Sequence, residues 1–305
     1  MPDKEISNSM ILSDQPTKDE LDRLHESLHE FNRSQTDGNY DLPGVEINMI
    51  ARDQNGTVVG GVSASTVLKV MHLEVLWVAK EYRKFGLASK LVLGAERIGA
   101  GYGCLTAQTM SFSFQAPGFY QKIGYEVLGV YTGYPFGITE TILNKPLNRE
   151  GRPADSNEGM LLEGHDGLIS FTEEVTEEDL KSLHVGLHAH VVENIGDRYK
   201  GKAIRLVLRD RSGRMVGGLT GFTTINNLIL ESMWIEEEFR RAGLGTKLLA
   251  EAESIAIEDE CTACQTMSLS FQAPDFFIRH GYKTFAVSEG YPDPFREFYF
   301  IKQLD

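Results

Sequence analysis

Leu21, Leu24 and Leu28 fall on one helical face, behind a Thr17-x-x-Glu20 pattern of the capping-box type. Leu180, Leu183 and Leu187 repeat that face behind Thr176-x-x-Asp179, a weaker variant of the same box. A short apolar run stands before each helix, Met10–Leu12 and Leu168–Phe171. Two strand-like runs follow. In the later copy they are Ile204–Leu208 and Met215–Leu219, joined at Asp210-Arg-Ser-Gly213; in the earlier copy the joining turn is Asp53-Gln-Asn-Gly56. Both turns are hairpin signals. A third strand is predicted at His72–Val78 and Leu230–Ile235, and an amphipathic helix from Ser89 to about Ala100 and from Thr246 to about Ile257. Another strand carries Gln-Thr-Met-Ser. Pro117 and Pro274 suit the first turn of a short helix, and a last strand closes each copy at Thr139–Leu147 and Phe298–Leu304.

The same order of elements therefore occurs twice. Gln108–Pro117 returns as Gln265–Pro274 at an offset of 157 residues, and 12 of the 18 positions from Gln108 to Tyr125 are identical in the second copy. The offset also carries Gly60-Gly61 onto Gly217-Gly218 and Arg83–Ala88 onto Arg240–Gly245. A repeat this long is a duplicated globular domain, since solenoid units run about 20 to 50 residues. The predicted organisation is a first domain over 1–148, a polar, Gly-rich linker over 149–166 and a second domain over 167–305.

Composition narrows the partners. A net charge of −14 points away from nucleic acid, which calls for a basic face. No run of about 18 apolar residues occurs, so no membrane partner is expected. The polar start Met1-Pro-Asp-Lys-Glu5 shows no signal-peptide pattern, and three cysteines (Cys104, Cys261, Cys264) fit a cytoplasmic setting. Cys261-Thr-Ala-Cys264 has neither a second CxxC nor paired histidines, so no metal is expected. His25 and His29, repeated as His184 and His188, lack a third ligand and read as a polar helix edge.

The chemistry is expected where a strand runs into Arg-x-x-Gly-x-Gly/Ala and then a helix. A helix start presents unpaired N–H groups and the positive end of the helix dipole, which suits a phosphate or pyrophosphate. Gly86 and Gly243 let the chain turn; Ala88 and Gly245 leave the amides open; Lys84, Lys90, Arg241 and Lys247 add positive charge. GxxxxGK[ST] and GxGxxG are both absent at this turn.

With these residues, and with Phe119-Tyr120-Gln-Lys-Ile-Gly124-Tyr125 following at a fitting distance, the chain resembles the GNAT N-acetyltransferase superfamily along nearly its whole length, as a tandem pair. The resemblance implies an α/β fold in which each domain is a central mixed sheet flanked by helices. It implies acetyl-CoA as cosubstrate, and transfer of its acetyl group to an amine of a small molecule or peptide. The cofactor would be held by Val78, Arg83, Lys84, Phe85, Gly86, Leu87, Ala88 and Ser89 in the first copy. In the second it would be held by Ile235, Arg240, Arg241, Ala242, Gly243, Leu244, Gly245 and Thr246.

An amine attacks only when neutral, yet an alkyl ammonium has a pKa of about 10.4, so a base is needed. Glu74 is the candidate in the first copy, with Glu231 in its place in the second; the alternative is a strand carboxylate paired with a cation. The resemblance makes Tyr120 the proton donor to the leaving thiolate, and Phe277 replaces it in the second copy. The first copy is therefore expected to do the chemistry, and the second to bind CoA, shape the acceptor site or brace its neighbour. A CoA-binding module without turnover and a protein-modifying acetyltransferase are the competing readings. A fused pair also suggests a monomeric pseudo-dimer or a homodimer. Trp77 and Trp234 read as core; Tyr131, Tyr134, Tyr291 and Phe295 lie in loops that line an acceptor pocket or cover a sheet edge.

Overall fold

A computed structural model describes residues 10–36, 40, 44–147, 160–161, 168–199 and 201–304. Most of the expected linker, 149–166, lies outside these; within it only Met160–Leu161 is described.

The elements follow the predicted order. The first half holds β1 (Ile11–Ser13), α1 (Lys18–Gln35), β2 (Glu46–Arg52), β3 (Val58–Val67), β4 (Val70–Val78), α2 (Leu87–Gly101), β5 (Thr106–Phe112), α3 (Pro117–Lys122), β6 (Glu126–Tyr131) and β7 (Glu140–Pro146). After β8 (Met160–Leu161), the second half holds β9 (Leu168–Thr172), α4 (Glu177–Ile195), β10 (Ala203–Arg209), β11 (Met215–Thr224), β12 (Asn227–Ile235), α5 (Leu244–Glu258), β13 (Ala263–Leu269), α6 (Pro274–Arg279), β14 (Lys283–Ser288) and β15 (Glu297–Gln303). Both capping boxes form: Thr17 and Thr176 accept from the N3 amides, and Glu20 and Asp179 reach back to the cap amides. In the hairpin turn, Asp53 Oδ1 accepts from the amides of Asn55 and Thr57 at 2.9 Å, with Gly56 at φ +80°. Tyr131, expected in a loop, ends β6, and β6 and β14 pair with β7 and β15 as further strands.

Among the described residues the strands form two sheets, ordered β6-β7-β5-β4-β3-β2-β9-β8 and β1-β10-β11-β12-β13-β15-β14. The sheets do not coincide with the expected domains. β1 belongs to the second sheet, where Ile11–Ser13 pair with Val207–Arg209, and β9 belongs to the first, where Ser170–Thr172 pair with Ile50–Arg52. The helices travel with their strands: α1 packs on β11 and β12, and α4 on β3 and β4. Each half thus lends its opening strand–helix unit to the other, and the continuous boundaries 1–148 and 167–305 divide the chain but not the sheets.

The repeated residues explain how this exchange is held. A Cβ on Gly61 would lie 2.8 Å from both methyls of Leu183, and one on Gly218 would lie 3.4 Å from Leu24 Cδ2. The Gly-Gly pairs are therefore seats for the fully buried leucines of the exchanged helices. The acids of the two capping boxes also pin them. Arg209 donates to both oxygens of Glu20 at 2.6 and 2.7 Å, and Arg52 donates to Asp179 at 2.6 Å. A second seam lies where β6 meets β14: a Cβ on Gly129 would stand 2.6 Å from that of Ala286. There the Gln of each Gln-Thr-Met-Ser crosses to the other half. Gln108 Nε2 donates to Glu297 at 2.8 Å while Ser288 Oγ donates back to Gln108, and Gln265 Nε2 donates to Glu140 at 3.1 Å.

Candidate functional site

In each half the site begins where two parallel strands part. β4 and β5 are paired only from Val70–Leu73 to Thr106–Thr109, and β12 and β13 only from Asn227–Leu230 to Ala263–Thr266. At the parting point the antiparallel neighbour slips register. Ser63 faces Val75 and Ala64 faces Leu73, which leaves Glu74 unmatched; Thr220 faces Ser232 and Gly221 faces Leu230, which leaves Glu231 unmatched. A bulge re-aims its side chain, and both carboxylates are exposed. Glu74 accepts a 2.5 Å bond from Ser65 Oγ. Phe222 takes the place of Ser65 in the second half, and Glu231 has no hydrogen-bond or ionic partner among the described residues.

The strands then run into the two turns. Lys84 and Gly86 take φ of +70° and +84°, Arg241 and Gly243 of +66° and +79°, and α2 and α5 start at Leu87 and Leu244 with no side-chain cap. Their first amide protons are left for an outside acceptor. Arg83 and Arg240 turn back instead: Arg83 Nε donates to Val78 O at 2.9 Å and Arg240 Nε to Ile235 O at 2.8 Å. They tie the turn to the strand end. Leu87, Ala242 and Leu244 are buried and Phe85 packs on the first core, so these residues offer backbone alone. Ala88, Ser89, Gly245 and Thr246 lie in the first helical turns, and Lys84 and Arg241 are exposed beside them. Two expected cations face elsewhere. Lys90 lies 4.5 Å from the Phe171 ring and Lys247 donates to Met10 O at 3.3 Å, both on exchanged strands.

Tyr120 is buried, and its hydroxyl hydrogen bonds to that of Thr109, which itself donates to Leu73 O at 3.0 Å. Leu73 and Thr109 are the last parallel pair, so the phenol stands at the fork of the strands. Burial pushes its pKa up to about 12, with the Thr109 bond acting against it. Phe277 is buried at the matching place and offers no proton.

A cleft of about 560 Å³ opens over the turn and fork of the second half. Its walls include Glu231, Trp234, Gly243, Gly245, Thr246, Met267, Phe276, Phe277 and His280, and also Leu28 and Phe31 of the exchanged α1. Sequence reasoning missed α1 because a strand–helix unit carries no mark of the sheet it joins. It also missed His280, whose Nε2 lies 2.9 Å from Thr246 Oγ1 and whose place in the first copy is Ile123.

The weaker signals resolve into packing. Trp77 packs against Gly186 of α4, and Trp234 joins Leu24, Val207 and Met215. Tyr131 donates to Asn227 at 2.6 Å and Tyr134 to Glu140 at 3.1 Å, both across or beside the seam, and Tyr291 is buried. Phe295 pairs edge-on with Phe271. His184 Nδ1 lies 2.8 Å from Leu180 O, and His25 is exposed. All three cysteines are buried, and burial raises each thiol's pKa, that of Cys261 to about 11. No helix among the described residues is long and apolar enough to cross a membrane.

Splayed parallel strands ending at an open helix start form the candidate site of each half. Residues 12–125 match the acetyltransferase (GNAT) family and residues 202–284 the acetyltransferase (GNAT) domain. The chain is 38% identical over 95 residues to blasticidin-S acetyltransferase of Streptomyces morookaense, covering 31% of this chain and 70% of that protein. It is 35% identical over 94 residues to the uncharacterized protein YyaT of Bacillus subtilis strain 168, covering 30% of this chain and 60% of that one. A crystal structure of an acetyltransferase from Bacillus cereus ATCC 14579 is 30% identical and aligns over 44% of this chain and 96% of its own, with a TM-score of 0.42. The chain belongs to the GNAT acetyltransferase family, as a tandem of two such domains.

Proposed function

We propose that the protein is an acetyl-CoA-dependent N-acetyltransferase acting on a primary amine, with the first half carrying the chemistry. The observation that carries the reading is the coincidence of fork, bulge carboxylate, buried phenol and open helix start in one place. Bound acetyl-CoA supplies the acetyl thioester, and the transfer forms a C–N bond while breaking the C–S bond. The amides of the Gly86–Ser89 turn take the cofactor's pyrophosphate, helped by Lys84. Glu74, oriented by Ser65, takes the ammonium proton directly or through water. Tyr120 is protonated at neutral pH, as any tyrosine is, and from the strand fork it gives its proton to the departing thiolate. The likeness to blasticidin-S acetyltransferase favours a small-molecule acceptor over a peptide.

A second reading rests on one observation: the cleft of about 560 Å³ lies over the second turn, beside Phe277. There the second half binds CoA without supplying an acid. Calorimetry with acetyl-CoA tests both readings, on wild type, Gly86→Glu and Gly243→Glu. A Cβ on Gly243 would meet nothing within 4 Å, and both glycines hold positive φ, so the added carboxylate places negative charge at each anion turn and a thermal melt checks the backbone strain. Loss of heat in Gly86→Glu alone supports the first half as the working site. Loss in Gly243→Glu alone moves the cofactor to the second. No heat from folded wild type sinks the acetyltransferase reading.

A further inference from the structure

The second-half cleft is built from both halves of the chain. Phe31 enters it from α1, and the Arg240 guanidinium lies 5.1 Å from the Phe31 ring while its Nε holds Ile235 O. Gln272 Nε2 donates to Asn32 at 3.0 Å and fixes the following residue of the same helix. Phe31 is thus clamped beside the anion turn by two residues of the second half. Leu28, one helical turn earlier, adds apolar surface, and Met267 leaves 42% of its surface exposed on the diverged strand. With these apolar side chains the cleft holds Glu231, on its bulge and without a hydrogen-bond or ionic partner among the described residues, and Arg240, Arg241 and Arg279 also line it. A carboxylate that shares a cleft with an aromatic ring favours a cation that also carries apolar surface. The first half lacks this combination. His190 stands where Phe31 does, Glu74 is held by Ser65, and Gly186 brings α4 close against Trp77.

We propose that the second-half cleft is a binding site for an amine carrying an apolar or aromatic group. Glu231 takes the ammonium, and Phe31 and Leu28, lent by the first half, hold the apolar part. The proposal rests on the acetyltransferase reading only for the use of the amine, so the two fail separately. The chain has two tryptophans, Trp77 and Trp234, and Trp234 lines the cleft. In a Trp77→Phe background the fluorescence of Trp234 therefore reports this cleft alone. Phenethylammonium, 2-phenylethanol and ethanolammonium are titrated into the full chain with CoA present, and acetyl-CoA binding is followed separately by calorimetry.

Phenethylammonium is expected to bind at least tenfold more tightly than either the neutral aromatic alcohol or the small hydrophilic amine. Phe31→Ala and Glu231→Gln should each weaken it about tenfold, Phe31→Leu by less, and His190→Ala by less than twofold. The Phe31→Leu variant guards against misfolding, with thermal melts on all. Unchanged affinity in Phe31→Ala and Glu231→Gln overturns the proposal. So does equal binding of the alcohol, or no response to phenethylammonium by a protein that binds acetyl-CoA. Failure to bind acetyl-CoA alongside a normal amine response overturns the acetyltransferase reading and leaves the amine site standing.

Discussion

In the first half the bulge carboxylate is tied to a serine and a buried phenol stands at the strand fork. In the second the carboxylate has no partner among the described residues, a phenylalanine replaces the phenol, and an open cleft reaches across to a helix from the other half. Both halves keep the turn, the bulge and the arginine that ties turn to strand. On the proposed function, duplication held constant the parts that would hold the cofactor and released the parts that would choose and serve the acceptor. The constant parts are mostly backbone features, fixed by glycine conformations and strand register. The divergent parts are single side chains, Tyr120 against Phe277, Ser65 against Phe222 and His190 against Phe31.

The strongest way to break this comparison is to unseat one exchanged helix. Leu24→Ala and Leu183→Ala each empty a fully buried site, and about 2–5 kcal/mol of stability should be lost in urea unfolding. Leu24→Ala should disturb the second-half cleft, as read by Trp234 fluorescence, and Leu183→Ala the first. Equal effects of both on both halves would mean that the exchange does not divide the sites.

Next in size is Tyr120→Phe, which makes the first fork resemble the second. Loss of a general acid should lower kcat by about 100-fold or more with acetyl-CoA affinity unchanged. Turnover within twofold of wild type would shift the chemistry to the second half.

Acid should loosen the two exchanged helices together. Hydrogen bonding from Arg209 holds the Glu20 carboxyl below its usual pKa. At Asp179 burial acts the other way, but bonds from Thr176 and Arg52 outweigh it and its pKa is also lowered. A depressed folded-state pKa contributes stability that is complete above the unfolded value, about 4, and is lost as pH falls through the folded value. Stability in urea should therefore decline below about pH 4.5, and less steeply in an Arg52→Met, Arg209→Met double variant. Identical pH slopes would rule out these pairs as the acid-sensitive contacts.

The smallest effect sharpens the contrast between the carboxylates. Ser65→Ala removes the hydrogen bond to Glu74, as Phe222 offers none to Glu231, and should change kcat/KM by less than tenfold. A loss as large as that of Tyr120→Phe would make the serine indispensable to the base.

The order of elements, the helix starts, the hairpin turns and the two anion turns were legible in the chain, because each rests on local chemistry. Capping acids, positive-φ glycines and apolar periodicity act within a few residues of themselves, and the repeat supplied a second reading of every one. Glu74 and Tyr120 were legible as candidates through their places in the motifs, but their partners were not: Ser65 reaches Glu74 from the neighbouring strand, and Thr109, which meets Tyr120, is itself tied to Leu73, 36 residues away. The exchange of β1–α1 and β9–α4 was not legible at all. Both sheets present the same Gly-Gly seat and the same arginine, and both helices a leucine and a capping acid, Glu20 or Asp179, so either helix fits either sheet by local rules. Only the packed tertiary structure, in which both seats must be filled at once, decided which helix covers which cleft, and with it that Phe31 and Glu231 line the same one.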